Sequence, residues 1–596
     1  MKRLLSYMRR YWLRYAFGIA CTFATGTLAM IIPLFLRNAI NAIKADHMDL
    51  VAYYSELMIA FAVILGIVRW FSRFVIFNVG RDIEYDLRND LFQHLTTLDA
   101  GFYQRFKTGD LMSRMINDLG GVRMMVGMFV MTIANTPLVY ALAIIFMTSL
   151  NGRLTIFALV PYVVLFVGIR FILMRAMMAR SMKVQEGLAA IGSKVQESLA
   201  GIQVVKAYTL EEHEAGLFRK INDAYNESGL ALARTRGAMM PMIRGASATA
   251  TMVVLIYGGS LVMSGRMSIG SLVAFLSYLG QLAWPTISLG WMLSIYQRGK
   301  ASMKRLDEIF DTRGADSVEG SDSVDSSELR LVVNGAIEWK GVSFSYFAGD
   351  PDGINGANGG SGNIPYALKN INVKVGAGEK LAIVGRTGSG KSTMVKLLVR
   401  LIQPTEGRVM LDGRDVHELP LSALRRTIGM VPQEPSLFSD TLARNIAFGK
   451  TDAELVEIQN AARIAGLEPD IATLAHGYDT VVGERGMALS GGQKQRVTIA
   501  RLLAYDPAVV VLDDALSSVD TETEKAVLNS LEESVQGRTT IVVAHRASTV
   551  RDSDQIVVLE EGEIAERGTH EELMGRRGIY AELFRRQLLE EELSQY

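Results

Sequence analysis

The sequence has almost no cysteine and no excess of charge of either sign. Its single cysteine, Cys21, cannot close a disulfide within the chain and lies in an apolar run, which favours a small buried residue over a redox role. Lys and Arg together number 62, as do Asp and Glu, so net charge gives no indication of a nucleic-acid partner. The basic N-terminus is not followed by a small-residue cleavage site, which argues against a cleavable signal peptide.

Long apolar stretches are abundant instead. The chain has 596 residues, enough for two or more domains, and 49% of them are hydrophobic. Stretches of about 20 apolar residues match the thickness of a bilayer core. They lie near 15–36, 57–79, 127–150, 154–174, 242–263 and 271–296. The sequence therefore predicts an all-α transmembrane domain of six spans over residues 1–310.

Basic residues indicate how these spans are oriented. They concentrate at the N-terminus and in two long, charged connections, 81–123 and 175–236, which the positive-inside rule places in the cytoplasm. The helical period of both connections predicts long cytoplasmic helix extensions. With an even number of spans, both termini are expected in the cytoplasm, and the chain is predicted to be a multi-pass membrane protein.

Four arginines fall within the predicted spans. Arg69 and Arg73 are one helical turn apart in the second, Arg170 lies in the fourth, and Arg244 is near the start of the fifth. A charge at membrane depth costs roughly 2.5–3.5 kcal/mol, so it normally faces protein or water. A hydrated cavity and side chains that reach a nearby interface are both open interpretations. Arg69 and Arg73 are the better candidates for a cavity wall.

The second half of the chain has a different pattern. Residues 311–330 are rich in Asp, Ser and Gly and are predicted to be a linker. Beyond them, short β-branched runs alternate with helical segments, which predicts an α/β domain over 331–596. A Gly- and Asn-rich stretch at 348–363 is interpreted as a surface insertion without an assigned function.

A glycine-rich loop is the strongest motif of this domain. The strand Leu381–Val384 is followed at once by Gly385–Thr393 and then by an apolar helix. In such a phosphate loop, backbone N–H groups and the helix N-terminus bind phosphates. Lys391 supplies a positive charge, and Ser392 is placed for Mg²⁺. The predicted ATP-binding residues are Gly385, Thr387, Gly388, Ser389, Gly390, Lys391, Ser392 and Thr393.

A second buried strand, Val509–Leu512, ends in two carboxylates. Asp513 is the predicted ligand of the Mg²⁺ that accompanies ATP, and Asp514 follows it directly. Strand ends in the same sheet often gather functional side chains. Two acids that simply end a strand in a turn are the weaker interpretation, given the phosphate loop upstream.

The motif Leu489-Ser490-Gly491-Gly492-Gln493 resembles the signature of ABC transporters, and the likeness extends over nearly the whole chain. The resemblance implies an exporter with a fused membrane domain and an α/β ATPase domain of the P-loop type. It also implies that Tyr346 stacks on adenine, that Gln433 senses Mg²⁺ and contacts the membrane domain, and that His545 contacts the γ-phosphate. The signature residues Ser490, Gly491, Gly492 and Gln493 would bind the ATP of the partner, and Asp520 would belong to the loop after the Mg²⁺ aspartate.

The resemblance further implies a dimer of half-transporters. Two cassettes sandwich two ATP molecules, each held by the phosphate loop of one chain and the signature of the other. ATP closure would switch the membrane domains by alternating access. Relatives move lipids, hydrophobic drugs, peptides or siderophores, and the apolar spans favour lipid or hydrophobic cargo.

Asp514 departs from the family pattern, in which a glutamate acts as the catalytic base. Aspartate is shorter by one C–C bond, about 1.5 Å, whereas a general base must reach water within about 2.6–3.2 Å. The resemblance is then to the degenerate-site half of bacterial heterodimeric exporters, whose partner carries the glutamate. A slow homodimer and an ATP-gated channel or regulatory subunit remain alternatives.

Overall fold

A computed structural model describes residues 1–168, 174–312, 333–346, 365–519, 521–544 and 550–594. The chain divides into two compact units. The first comprises Met1–Thr96 and Lys107–Thr312, and the second comprises Thr97–Phe106 and the described residues from 333 onward. The predicted insertion at 348–363, the predicted linker beyond residue 312, and Arg170 lie outside the described residues.

The described part of residues 1–312 is helical. Its helices belong to the first unit, except α4, which groups with the second unit. They are α1 (Lys2–Arg10), α2 (Trp12–Lys44), α3 (Met48–Thr96), α4 (Ala100–Arg105), α5 (Thr108–Ser113), α6 (Leu119–Met124), α7 (Val130–Gly168), α8 (Met174–Ala200), α9 (Ile202–Ala207), α10 (Glu211–Val253), α11 (Gly259–Met263), α12 (Ile269–Gln281) and α13 (Ala283–Phe310). Single π-helical turns join some of them, at Arg114–Asp118, Met125–Phe129 and Val254–Gly258.

Five helical stretches of the described chain are long and apolar enough to cross a membrane. They are Trp12–Lys44, Met48–Thr96, Thr108–Val164, Arg244–Met263 and Ile269–Phe310. The third contains a break at Asn151, whose backbone leaves the helical region at φ −166° and ψ 109°. The Asn151 side chain accepts a hydrogen bond from the Leu154 amide at 3.0 Å, which caps the helical segment that follows. The predicted fourth span, 154–174, extends beyond the described residues.

Helix α1 is tied to the other end of the first unit by ion pairs. The Met1 amine lies 3.0 Å from Asp307 of α13, and Arg3 lies 3.1 Å from the same carboxylate. On the α3 side, Tyr7 donates a hydrogen bond to Asp90, and Leu4 and Tyr7 are buried. The basic N-terminus therefore packs as an amphipathic helix that connects the beginning and end of this unit.

The second unit contains two β-sheets. A four-stranded antiparallel sheet has the order β2-β1-β4-β5, and a six-stranded sheet has the order β10-β9-β3-β8-β7-β6. The strands are β1 (Ile337–Phe344), β2 (Leu368–Val375), β3 (Lys380–Gly385), β4 (Glu406–Leu411), β5 (Arg414–Asp415), β6 (Ile428–Val431), β7 (Val509–Asp513), β8 (Thr539–Val543), β9 (Gln555–Glu560) and β10 (Glu563–Gly568).

Helices complete this unit. They are α14 (Lys391–Leu398), α15 (Leu421–Thr427), α16 (Leu442–Ile446), α17 (Leu455–Ile464), α18 (Glu468–Thr473), α19 (Gly491–Tyr505), α20 (Thr521–Ser534), α21 (His570–Arg576) and α22 (Ile579–Ser594). Strands β3, β6, β7, β8 and β9 pair in parallel, and the residues of β7 and β8 are all buried. Their carboxyl ends share one edge of the sheet, which is where such folds bind ligands.

Candidate active site

The loop between β3 and α14 has a backbone that only glycine fits easily. Gly390 has a φ of +100°, and a Cβ added there would lie 2.6 Å from the Ala367 carbonyl oxygen. At Gly385 the added Cβ would lie 2.2 Å from the Leu559 carbonyl oxygen. Helix α14 begins directly after Gly390, so its N-terminal amides and positive dipole end at this loop. The loop has the geometry expected of a phosphate-binding loop.

We expect Gly390→Ala to destabilise the second unit by about 1–3 kcal/mol, because the left-handed backbone and the close Ala367 carbonyl both oppose a side chain. Thermal unfolding of the purified protein measures the change. Gly575→Ala is the matched control, since a Cβ there meets nothing within 4 Å. If the two variants melt at the same temperature, the strain assigned to Gly390 is wrong.

Lys391 is held over the loop rather than extended into solvent. Its side chain is buried, and its Nζ donates to the carbonyl oxygens of Gly385 at 2.8 Å and Arg386 at 2.9 Å. Burial lowers the pKa of the ammonium from its ordinary value, while the nearby Asp514 and Asp513 carboxylates act in the opposite direction. The positive charge is therefore fixed where phosphates would bind.

Two of the three predicted magnesium ligands, Ser392 and Asp513, lie side by side. Asp513 is buried at the end of β7, and its Oδ1 accepts a hydrogen bond from the Ser392 hydroxyl at 2.9 Å. Burial raises the pKa of the Asp513 carboxyl, and the Ser392 hydrogen bond opposes that rise. Among the described residues, no three His, Cys, Asp or Glu side chains converge on one point. Mg²⁺ typically binds one or two carboxylates together with substrate phosphates, so the Ser392–Asp513 pair fits it.

A cavity of about 240 Å³ opens at this edge of the sheet. Its lining contains ten of the predicted site residues, namely Tyr346, Thr387, Gly388, Gly390, Lys391, Ser392, Thr393, Gln433, Asp513 and Asp514, together with Ala367 and Val543. Gly385 and Ser389 are not in the lining, and Ser389 is buried. Asp520 and His545 lie outside the described residues.

Tyr346 stands at the rim of this cavity. Its hydroxyl is 3.0 Å from the Thr393 hydroxyl, and its ring packs edge-on against Phe344 with centroids 4.8 Å apart. The side chain is 46% exposed, so much of the ring is accessible to a planar ligand. The aromatic ring can therefore stack on a base bound above the phosphate loop.

Asp514 lies beside Asp513 with a constrained backbone. Its φ is +51°, in the left-handed region that aspartate tolerates better than most residues. Its amide donates to the Val543 carbonyl oxygen at 2.9 Å, which joins the ends of β7 and β8. The carboxylate lines the same cavity as Lys391 and Ser392. A carboxylate is thus present beside the phosphate loop, on a backbone that allows little adjustment.

The predicted signature forms the start of α19, outside that cavity. Ser490 caps the helix: its Oγ accepts from the Gln493 amide at 3.3 Å, and Gln493 Oε1 accepts from the Ser490 amide at 2.9 Å. Ser490 and Gly491 are exposed. A Cβ at Gly492 would lie 3.0 Å from the Ser518 carbonyl oxygen, so α19 starts in close contact with the segment after β7.

Gln495, a residue without a predicted role, joins these two segments. Its side chain is 2% exposed; Nε2 donates to the Ser517 hydroxyl at 3.0 Å, and Oε1 accepts from the Ser518 amide at 2.8 Å. A glutamine at a helix position that faces the core is the signal that could have identified it, because buried polar groups need partners.

Comparisons with known proteins agree with these features. The family pattern described as "ABC transporter transmembrane region" matches residues 15–286, and the one described as "ABC transporter" matches residues 368–517. The chain is 34% identical to the "Probable multidrug resistance ABC transporter ATP-binding/permease protein YheI" of Bacillus subtilis, over 99% of this chain and 98% of that protein. The chain is an ABC exporter.

Two further relatives of this ABC exporter are similar along their full length. The "ATP-dependent lipid A-core flippase" of Syntrophus aciditrophicus is 31% identical over 100% of this chain and 95% of that protein. A solved structure, that "of a bacterial Atm1-family ABC exporter with ATP bound", superposes with a TM-score of 0.77 at 28% identity, over 97% of this chain and 99% of that one.

Several predictions from sequence are thereby confirmed. The ABC exporter is an integral membrane protein whose helical transmembrane region is followed by an α/β nucleotide-binding domain. It is an ATPase coupled to transport.

Proposed function

We propose that this chain is one half of a heterodimeric exporter and that its own phosphate loop forms the weakly hydrolysing site. Its partner is a second ABC half-transporter with a glutamate at the position of Asp514. The signature Ser490–Gln493 of this chain completes the partner's competent site. The cargo is a hydrophobic compound or a lipid, moved out of the cytoplasm or the inner leaflet by alternating access.

The observation that carries this proposal is Asp514. Its backbone is held by the hydrogen bond to Val543 at 2.9 Å, so the main chain offers little room to advance a shorter carboxylate. A misplacement of about 1 Å at a reacting group can lower the rate on the order of a hundredfold. The neighbouring groups proposed to bind ATP line the same cavity, so the site is expected to hold ATP and to hydrolyse it slowly.

The intact signature supports the second half of the proposal. The reciprocal hydrogen bonds between Ser490 and Gln493 fix the start of α19, and Gln493 Nε2 also donates to Asp470 at 2.8 Å. Ser490 and Gly491 remain exposed, with backbone amides at a helix N-terminus. That surface suits the phosphates of an ATP bound to another chain.

Each residue at this chain's own site has a proposed task. Lys391 and the loop amides bind the phosphates, Ser392 and Asp513 hold the metal, and Tyr346 stacks on the adenine. Mg²⁺, when bound, neutralises phosphate charge. Gln433 is proposed to link the metal to the membrane domain, and Asp520 and His545 keep the roles implied by the family resemblance. Asp514 orients the attacking water and takes its proton.

The membrane half of the proposal keeps the predicted arrangement. It consists of six spans in residues 1–310, a linker at 311–330 and a nucleotide-binding domain over 331–596, with both termini and the ATPase domain in the cytoplasm of a bacterium. Multidrug export and lipid flipping in the names of the relatives support a hydrophobic cargo from the inner leaflet.

Asp514→Glu tests the assignment of the weak site. We expect the substitution to raise ATP turnover of the assembled exporter several-fold, because glutamate restores the missing C–C bond of about 1.5 Å. Phosphate release in lipid vesicles measures it, with the exposed Asp452→Glu as the matched control. Unchanged turnover would mean that the short base does not limit this site. Brisk hydrolysis by this chain alone would instead favour a homodimer.

A further inference from the structure

The first unit contains a cavity of about 450 Å³ among α2, α3, α7, α12 and α13. Two arginines of α3, Arg69 and Arg73, line it. The described residues in its wall include no carboxylate; the other polar members are neutral, such as Asn135 and Gln281. Two positive charges thus face one cavity with no negative charge in the lining to balance them.

Several arginines near this cavity have carboxylate partners, whereas among the described residues none pairs with Arg69 or Arg73. Arg123 lies 3.0 Å from Glu84, and Arg14 lies 2.6 Å from Asp82. Within the described parts of the chain, neither Arg69 nor Arg73 forms an ion pair or a hydrogen bond, and both side chains are exposed. An uncompensated charge at membrane depth is costly, which makes such residues candidates for contact with cargo.

Part of the cavity wall is apolar and aromatic. Trp284 and Trp291 of α13 line it, together with Met128 and Met131. Trp284 is 74% exposed, so its ring is accessible to a ligand. Methionine and tryptophan side chains accommodate apolar bodies of varied shape. A cavity with two guanidinium groups on α3 and an apolar face on α13 fits a ligand with an anionic group and an apolar body.

A second cavity, of about 580 Å³, continues along the same face of α13. Arg298 and Arg305 line it, one and two heptads after Trp291, and therefore on the same side of the helix as Trp284. Arg305 is paired with Asp118, whereas Arg298 has no ion pair among the described residues. Asp118 also lines this second cavity, so Arg298 adds the one further unpaired positive charge that the described part of this face of α13 presents.

We propose that the cargo of this exporter is an amphiphilic anion whose phosphate, sulfonate or carboxylate group binds between Arg69 and Arg73. The proposal rests on the proposed export function and names its substrate class. Guanidinium groups bind such oxyanions through paired hydrogen bonds. The two arginines are one turn apart on α3, so both can contact the same anionic group. The apolar body of the cargo then packs against Trp284 and Trp291.

The first test is the charge preference of the unmodified exporter. The assembled complex, in inside-out phosphatidylcholine vesicles, is given ATP and either anilinonaphthalene sulfonate, an anionic aromatic dye, or a rhodamine ester, a cationic one. We expect ATP-dependent accumulation of the anion in preference to the cation. Tail-labelled phosphatidylglycerol, compared with tail-labelled phosphatidylcholine, shows whether a lipid headgroup or a soluble anion is the source of the charge.

The second test neutralises the cavity. The double variant Arg69→Gln/Arg73→Gln should raise the half-saturating concentration of the anion at least about tenfold, because charge-assisted hydrogen bonds are lost. Arg69→Lys/Arg73→Lys should retain accumulation, since the charge remains. Arg81→Gln, on the same helix but outside the lining, is the matched control for charge removal. Basal ATP turnover and the melting temperature report whether each variant is folded.

The outcomes separate this inference from the function on which it rests. Accumulation of the cation but not the anion overturns the anionic cargo and leaves export intact. An unchanged half-saturating concentration in the folded double variant overturns the role of the two arginines. If the double variant separates the two subunits without changing the charge preference, the arginines act in assembly and the inference fails. If neither dye nor either lipid moves while ATP is hydrolysed, both the inference and the export function fail.

Discussion

Replacing Ser490 with arginine should reduce ATP turnover of the assembled exporter by roughly a hundredfold, the loss typical when one preorganised hydrogen-bond donor is removed from a reacting phosphate or oxyanion. Ser490 is exposed at the first turn of α19 and caps it through the Gln493 amide. In the proposed dimer this position meets the γ-phosphate held by the partner. An arginine would remove the cap and occupy the space that the phosphate needs.

Phosphate release by the complex in lipid vesicles measures this effect, and azido-ATP crosslinking measures binding at each subunit. ATP should still label the phosphate loop of the mutated chain. Thr569→Arg is the matched control, because Thr569 caps α21 with the same reciprocal hydrogen bonds to Glu572 but lies elsewhere in the domain. Full turnover in Ser490→Arg would show that the two sites are assigned to the wrong chains.

Lys391→Ala should weaken ATP binding at this chain's own site by roughly ten- to hundredfold, the range expected when charge-assisted hydrogen bonds are lost. The ammonium is buried against the Gly385 and Arg386 carbonyl oxygens and is the positive side chain at the base of the cavity. Alanine removes that charge and leaves the carboxylates of Asp513 and Asp514 facing the phosphates.

Crosslinking of azido-ATP, quantified separately on each subunit, measures the loss. Lys374→Ala is the control, since Lys374 is an exposed lysine of β2 in the same domain. The partner subunit should still be labelled, because the signature of this chain is untouched. Equal labelling of this chain before and after Lys391→Ala would mean that the phosphate loop is not where it binds ATP.

The ATP-binding half was the more predictable part of the fold. The run Leu381–Val384 is β-branched or apolar throughout and is followed at once by glycines, so strand, loop and helix could be placed from spacing alone. The positive φ of Gly388 and Gly390 explains why these two positions are glycine. The side-chain pairing of Ser392 with Asp513 also follows from parallel strands that end at one edge.

Other features depend on tertiary contacts that a single sequence does not encode locally. The π-helical turns, such as Met125–Phe129, have ordinary helical composition and arise from packing. From the sequence, Arg69 and Arg73 could either line a cavity or reach the membrane interface. The positions of the surrounding helices place both in one cavity. Gln495 was overlooked because its two partners are more than twenty positions away in the chain.

That glutamine has a consequence for how freely the two ATP sites can diverge. Gln495 belongs to α19, whose start is proposed to contact the partner's nucleotide, and its amide group binds Ser517 and Ser518, a few residues after Asp514. In the proposed dimer, a shift of the segment after Asp514 would be transmitted through this amide to the surface that faces the other nucleotide. If the proposed dimer is right, a change near Asp514 would therefore also alter the partner's ATP site.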